Sequence, residues 1–181
     1  YLRQQGVPVP TLLTAETGRP YVEKDGLVWR LMTRLCGRTI HRVENAKQAR
    51  SAAGLVARFH RCLAPIDHDF AFSRPGAHDT DAHMMTLRQT LTDCAEHRLA
   101  DQVLPLANEI LRRFDALPRP ETMPPCIVHG DLKISNILFD DDDEAVGLID
   151  LDTMAISDLE VELGDALRSW CNATTEDAPD P

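Results

Sequence analysis

The sequence predicts an α+β fold: a β-hairpin near the start, helices in the middle, a cluster of short strands after them, and a last helix. Three observations carry this reading. Asp25-Gly26 stands between two apolar runs, the sign of a hairpin turn. Ala52, Leu55, Val56, Phe59 and Leu63 fall on one face of a 3.6-residue helix. Beyond the proline-rich stretch 118–125 the pattern shortens to brief apolar runs broken by acids.

Taken in order, Tyr1 to Gln5 reads as the end of a helix stopped by Gly6. Pro8 and Pro10 force an extended exit. "YVEKDGLVWRLMT" (21–33) reads as the hairpin, with Leu27 to Thr33 apolar enough for a buried strand and Gly37 breaking it. Asn45 to Leu63 is the first full helix, ended by Pro65. "SRPGAHDT" is a loop. A second helix puts Met84, Leu87, Leu91 and Cys94 on one face, and a third points Val103, Leu106, Ala107, Ile110, Leu111, Phe114 and Leu117 inward. The prolines of 118–125 make an extended connector. Ile127-Val128, Ile137 to Phe139 and Ala145 to Ile149 are short strands, Leu163 to Cys171 begins a helix, and the tail is polar and loose.

A chain of 181 residues buries a real core in one domain, or at most two small ones. Lys and Arg number 19 against 29 Asp and Glu, a formal charge of −10. That balance disfavours a nucleic-acid binder, which needs a basic face, and is compatible with a cationic substrate. No apolar run is long enough to span a membrane, and the start lacks a secretory pattern. Five scattered cysteines without a CxxC pair read as reduced, mostly buried thiols of a cytoplasmic protein. The opening "YLRQQGVPVP", without Met, reads as cut from something longer.

The densest chemistry lies in "CIVHGDLKISNILFDDDDEAVGLIDLD" (126–152). Asp140 to Asp143 sits between two apolar strands and reads as a solvated turn. It fails as a calcium loop, because Ala145 stands where an EF-hand needs its glycine. Asp131, Asn136 and Asp150 differ. In an antiparallel hairpin Asn136 and Asp150 share one end, and the loop brings Asp131 there. Carboxylate and amide oxygens suit Mg2+, which keeps positions for water and phosphate. Phosphoryl transfer needs such an ion and a separate carboxylate to orient the attacking hydroxyl. Asp131 fits the base; Asn136 and Asp150 fit the metal.

"HGDLKISN" (129–136) has the H-x-D-x-x-x-x-N form of a kinase catalytic loop. "LIDLD" (148–152) resembles the metal-binding segment of the aminoglycoside phosphotransferase and choline kinase superfamily, and "LGDALRSWCN" (163–172) continues the likeness. "LIDLDT…GDALRSWCN", "LVWRLMTRLCGRT" and "PGAHDT" look most like its N-acetylhexosamine kinase branch. The likeness covers most of the chain and is specific from Ile127 to Asn172.

The resemblance implies a protein-kinase-like fold: residues 1–36 as the end of a small β lobe with its hinge, and 37–181 as a mostly helical large lobe with an embedded catalytic hairpin, incomplete at its end. It implies an ATP- and Mg2+-dependent kinase acting on a small-molecule hydroxyl, a sugar first among acceptors. Asp131 would be the base and Lys133 would neutralise the moving phosphoryl group. Asn136 and Asp150 would hold the metal, and the backbone at Thr33, Arg34 and Leu35 would meet adenine. His129 would pack under the loop, and Asp165 would hydrogen-bond the loop's backbone. Asp152 is open to metal or substrate. His78 and Asp79 are open to substrate, though Asp79 fits a helix cap better. His60 reads as a core histidine.

The chain departs from that pattern in lacking a glycine-rich phosphate loop and a strand lysine, Lys24 lying in the hairpin turn. In the family these precede the point where this chain starts, and helices shaping the acceptor pocket follow Pro181. The expectation is a fragment that is poorly active alone, with apolar surface left uncovered. Aminoglycoside or amino-alcohol kinase, a non-catalytic binding module and a metal-dependent hydrolase stay as alternatives. Oligomeric state is not legible.

Overall fold

The computed structural model describes residues 1–71, 76, 79–118 and 123–174. The expectations for His78 and for most of the loops around 73–78 and 119–122 fall outside these residues, as does the tail from 175. The chain packs as two units, Tyr1–Ala71 with Met123–Pro181, and Phe72–Thr122.

The first unit is built around helix α1 (Ala46–Leu63). Asn45 caps it, its side chain accepting from Lys47 N and Gln48 N at 3.0 and 2.9 Å. The face read from the periodicity is the buried one: Ala52, Leu55, Val56, Phe59 and Leu63 all lie in the core. Against α1 pack β4 (Cys126–Val128), β6 (Ala145–Leu148) and the short 3-10 turn Leu2–Gln5, which Gly6 ends in a left-handed conformation.

β5 (Ile137–Phe139) and β6 form the expected antiparallel hairpin. Ile137 lies opposite Leu148 and Leu138 opposite Gly147, with a bulge at Phe139. Two elements were too short to predict. β3 (Arg38–Thr39) pairs with β5, and β7 (Ala155–Ser157) pairs with β4. Val7 and Val9 are buried, and Pro8 O accepts from Leu148 N at 2.9 Å, so the extended entry segment lies along the end of β6.

The first hairpin forms with Asp25 and Gly26 at φ 55° and 74°, the pair of positive values a tight turn of this twist needs. Its strands β1 (Val22–Lys24) and β2 (Leu27–Trp29) correct one expectation. Leu27, Val28, Trp29 and Leu31 are 58–68% exposed, so this apolar strand is not buried. Apolar content gave the strand; burial needs a facing layer, and two strands alone do not supply one.

α4 (Leu159–Trp170) starts earlier than predicted; Glu162, Ala166 and Ser169 lie inside, while Leu163 and Leu167 are exposed. In the second unit α2 (Thr80–Asp93) is capped by Asp79, which accepts from Ala82 N at 2.9 Å. It is joined to α3 (Ala100–Ala116) by a bidentate Arg88–Asp115 pair at 2.7 and 2.8 Å. Only Ala107 and Leu111 are buried on α3; Val103, Leu106, Ile110 and Leu117 are exposed, and Cys94 likewise. A helix pair covers a single stripe, narrower than the face the sequence offers.

All five cysteines are free. Cys36, Cys94 and Cys171 are exposed, against the expectation of mostly buried thiols. Among the described residues no helix is long and apolar enough to cross a membrane.

Candidate active site

The loop between β4 and β5 carries Asp131 and is fixed from below. His129 is fully buried, and its Nε2 donates to Ile149 O at 2.9 Å, which ties the loop to the residue before Asp150. His129 thus has the packing role expected of it. Gly130 sits at φ 79°, and a Cβ there would meet Thr153 O at 2.3 Å. Only glycine lets the turn after Asp150 close on the loop. Thr153 Oγ1 completes that contact by donating to His129 O at 2.9 Å.

The loop's backbone is held from α4, by a residue the sequence reading missed. Glu162 accepts from His129 N at 2.8 Å and Gly130 N at 2.9 Å, and His60 Nε2 lies 3.3 Å from the same carboxylate. Burial alone would push this carboxyl up. The close approach of His60 and the bonds from Gly130 N and His129 N outweigh it and hold the group below the ordinary carboxylate range. Ser169 Oγ accepts from Ile134 N at 3.0 Å, and Trp170 Nε1 donates to Leu132 O at 3.0 Å. Asp165, expected in this role, instead pairs with Arg168 at 2.9 Å. Asp165 shares the inward face of α4 with Glu162, three residues earlier, but lies at its half-buried margin, where Arg168 takes its carboxylate. A charged residue at a core position of a helix was the signal available.

Asp131, Lys133 and Asn136 come together. Asn136 is 5% exposed, and its Nδ2 donates to Asp131 O at 2.8 Å and Asp131 Oδ2 at 3.1 Å. Lys133 Nζ lies 2.9 Å from the same Oδ2. Ile149 N donates to Asn136 O at 2.9 Å, so the hairpin register sets Asp150 at the Asn136 end. Asp150 takes a left-handed turn, φ 63° and ψ 54°, at the end of β6.

This donor set fits a hard cation. With Nδ2 of Asn136 spent on Asp131, its Oδ1 is the atom left for a metal, and Asp150 adds a carboxylate at the same end. Among the described residues no group of three His, Cys, Asp or Glu is arranged around one point. A site with two protein oxygens suits Mg2+, which keeps waters and phosphate oxygens as its remaining ligands.

Asp152, two residues on, bonds Arg30. That hydrogen bond raises the guanidinium above its ordinary value against slight burial, with the fields of Asp152 and Asp150 adding.

The acidic turn at the hairpin's other end corrects another expectation, since it is not merely solvated. Asp140 Oδ1 accepts from Asp142 N at 3.0 Å and Glu144 N at 2.9 Å. Asp143 accepts from Arg38 at 2.7 Å, Gln48 at 2.8 Å and Asn45 at 3.0 Å, joining the turn to β3 and to the start of α1. Gln48 and Asn45, followed by Arg38, hold the Asp143 carboxyl below its usual range; Ser51 and Lys47 do the same for Glu144.

Of the three residues expected at adenine, Thr33 has its N–H on Thr11 O at 2.9 Å and its Oγ1 accepting from Thr11 N at 2.9 Å. Leu35 seats on the hairpin over Gly147, where a Cβ would come within 2.9 Å of its Cδ1. It lines a cleft of about 560 Å³ with Gly37, Arg38, Phe139 and Val146.

Residues 1–179 match the phosphotransferase enzyme family (APH). Among solved structures, the chain is similar to the amicoumacin kinase hAmiN in complex with AMP-PNP, Ca2+ and Ami. The TM-score is 0.60 at 17% identity, over 93% of this chain and 50% of that one. It is similar to ADP-bound aminoglycoside phosphotransferase APH(2'')-Ib, with a TM-score of 0.52 at 19% identity, over 89% and 54%. It is also similar to a microcompartment-associated aminopropanol kinase, with a TM-score of 0.54 at 17% identity, over 92% and 54%. At these identities the likeness is one of fold, which is the protein-kinase-like α+β arrangement predicted. The chain spans about half the length of these structures.

Proposed function

The chain belongs to the phosphotransferase enzyme family, and from that membership we propose that it transfers a phosphoryl group from ATP to a hydroxyl of a small molecule. The observation that carries this reading is the Asp131 carboxylate, gripped by Asn136 at 3.1 Å and Lys133 at 2.9 Å at the end of the hairpin that also bears Asp150.

In this reading Asp131 accepts the hydrogen bond of the attacking hydroxyl and takes its proton as the new O–P bond forms and the bond to the ADP oxygen breaks. Asn136 holds the carboxylate's rotamer, and Lys133, beside Asp131, would neutralise the moving phosphoryl group. Asn136 Oδ1 and Asp150 would hold Mg2+, which when bound neutralises charge on the phosphate oxygens. With the lobe boundary proposed at 36/37, "RLMTRLCG" (30–37) would be the connection between lobes. Adenine would then meet the Arg34 backbone and Leu35, with Thr33 serving mainly to pair the connector to Thr11.

The acceptor we favour is a sugar such as an N-acetylhexosamine, on the likeness of "LIDLDT" and "GDALRS" to that branch. Aminoglycosides and amino alcohols are the competing acceptors, and the reaction would run in the cytoplasm, where ATP is available. Transfer of labelled phosphate from ATP to a panel of these acceptors tests the reading. In the whole protein Asp131→Asn should lower kcat by about 10²–10⁴-fold with nucleotide binding retained. Nucleotide binding by the whole protein without transfer to any acceptor would favour a binding module instead.

A further inference from the structure

One charged contact at the site has no part in the reaction as described. Arg30 follows β2 on the segment leading to the connector, and its guanidinium bonds the Asp152 carboxylate, 122 residues away in sequence. Asp152 lies in the 3-10 turn Leu151–Thr153 that Asp150 opens, and that turn is clamped to the catalytic loop through Thr153 and Gly130. The pair therefore joins the first hairpin's strand to the turn bearing the metal-holding carboxylate. Both side chains are about half exposed, at 43% and 48%.

We propose that Arg30 is the resident counter-charge of this turn: it competes with a divalent cation for the Asp150–Asp152 carboxylates and passes to the nucleotide phosphates when cation and nucleotide bind. The inference rests on the reading of Asp150 as a metal-holding residue. Asp150 and Asp152 put two negative charges on one short turn, and Arg30 answers one of them. A divalent cation brought to that turn repels the guanidinium and takes over its role. A half-exposed ion pair is weak enough to exchange partners. A released guanidinium presents a planar fork that matches phosphate oxygens bidentately. Each ligand thus eases entry of the other, since metal frees Arg30 for phosphate and phosphate draws Arg30 off the carboxylates.

The test uses each ligand alone. Mn2+ binding, followed by electron spin resonance without nucleotide, should tighten about two- to fivefold in Arg30→Met. ADP binding in EDTA should weaken in the same variant by about two- to tenfold. Arg30→Lys, which keeps the charge and loses the fork, should hold Mn2+ affinity near that of the unaltered chain and leave ADP binding between the two. Melting curves should stay unchanged, as the pair is half exposed. Arg30→Met leaving both affinities as they were, or weakening Mn2+ too, overturns the proposal. Asp150→Asn separates the two layers. If it abolishes Mn2+ binding while Arg30→Met does nothing, this inference alone falls. If it leaves Mn2+ binding intact, the metal reading falls and this inference with it.

Discussion

At one end of the β5–β6 hairpin, Asp140 and Asp143 spend their oxygens on Asp142 N, Glu144 N, Arg38, Asn45 and Gln48, donors from the turn, β3 and the start of α1. At the other end Asp131 is met by Asn136 and Lys133, both within five residues of it, and is 28% exposed. A carboxylate surrounded by donors from several elements is a tie between them. One gripped on a single oxygen from its own loop keeps the other for a ligand. Residue type and local density of charge do not distinguish the two ends; the partners do.

The sharpest way to break this comparison is a matched pair of substitutions. Asp131→Asn should cost about 10²–10⁴-fold in kcat at an unchanged melting temperature. Asp143→Asn should lower the melting temperature and leave kcat within about twofold. Equal kcat losses at both ends would mean that the turn takes part in the chemistry.

A third acid sharpens it further. Glu162 is buried and tied like the turn acids, yet it holds the loop that carries Asp131. Glu162→Ala leaves two buried N–H groups and His60 without their acceptor, and should destabilise the fold by about 3–5 kcal/mol in denaturant unfolding. A cost under about 1 kcal/mol would mean that the loop is held by its other contacts.

The smallest effect is with pH. The folded pKa values of Glu162, Asp143 and Glu144 are all depressed. Their stabilisation is therefore complete above the unfolded carboxyl values of about 3.9 for aspartate and about 4.3 for glutamate, and is lost as pH falls through the lower folded values. Thermal melts from pH 6 downward should show Tm falling below about pH 4.5. Glu162→Gln should flatten that acid limb, and an unchanged slope would remove Glu162 from it.

What the sequence made legible follows from range. The core face of α1 was readable because one helix buries one stripe, so spacing alone encodes it. The Asp25-Gly26 turn was readable because its backbone angles select residue types locally. The loop bearing Asp131 and the hairpin carrying Asn136 and Asp150 were readable from strand register and motif spacing. Glu162 was not, because its donors sit on a loop more than thirty residues earlier. The Arg30–Asp152 pair leaves no local trace at a separation of 122 residues. β3 and β7, of two and three residues, are shorter than any periodicity. The exposure of Leu27 to Trp29 could not be read from composition, which records how apolar a strand is and not what faces it.

The two hairpin ends lie about 13 Å apart along β5, four residues of extended chain. Crystals soaked with Mn2+ and ADP therefore resolve the central claim directly by anomalous scattering. The account predicts a single peak within coordination distance of Asn136 Oδ1 and Asp150, beside Asp131. A peak on the Asp140–Asp143 turn with none at Asn136 and Asp150 would contradict it.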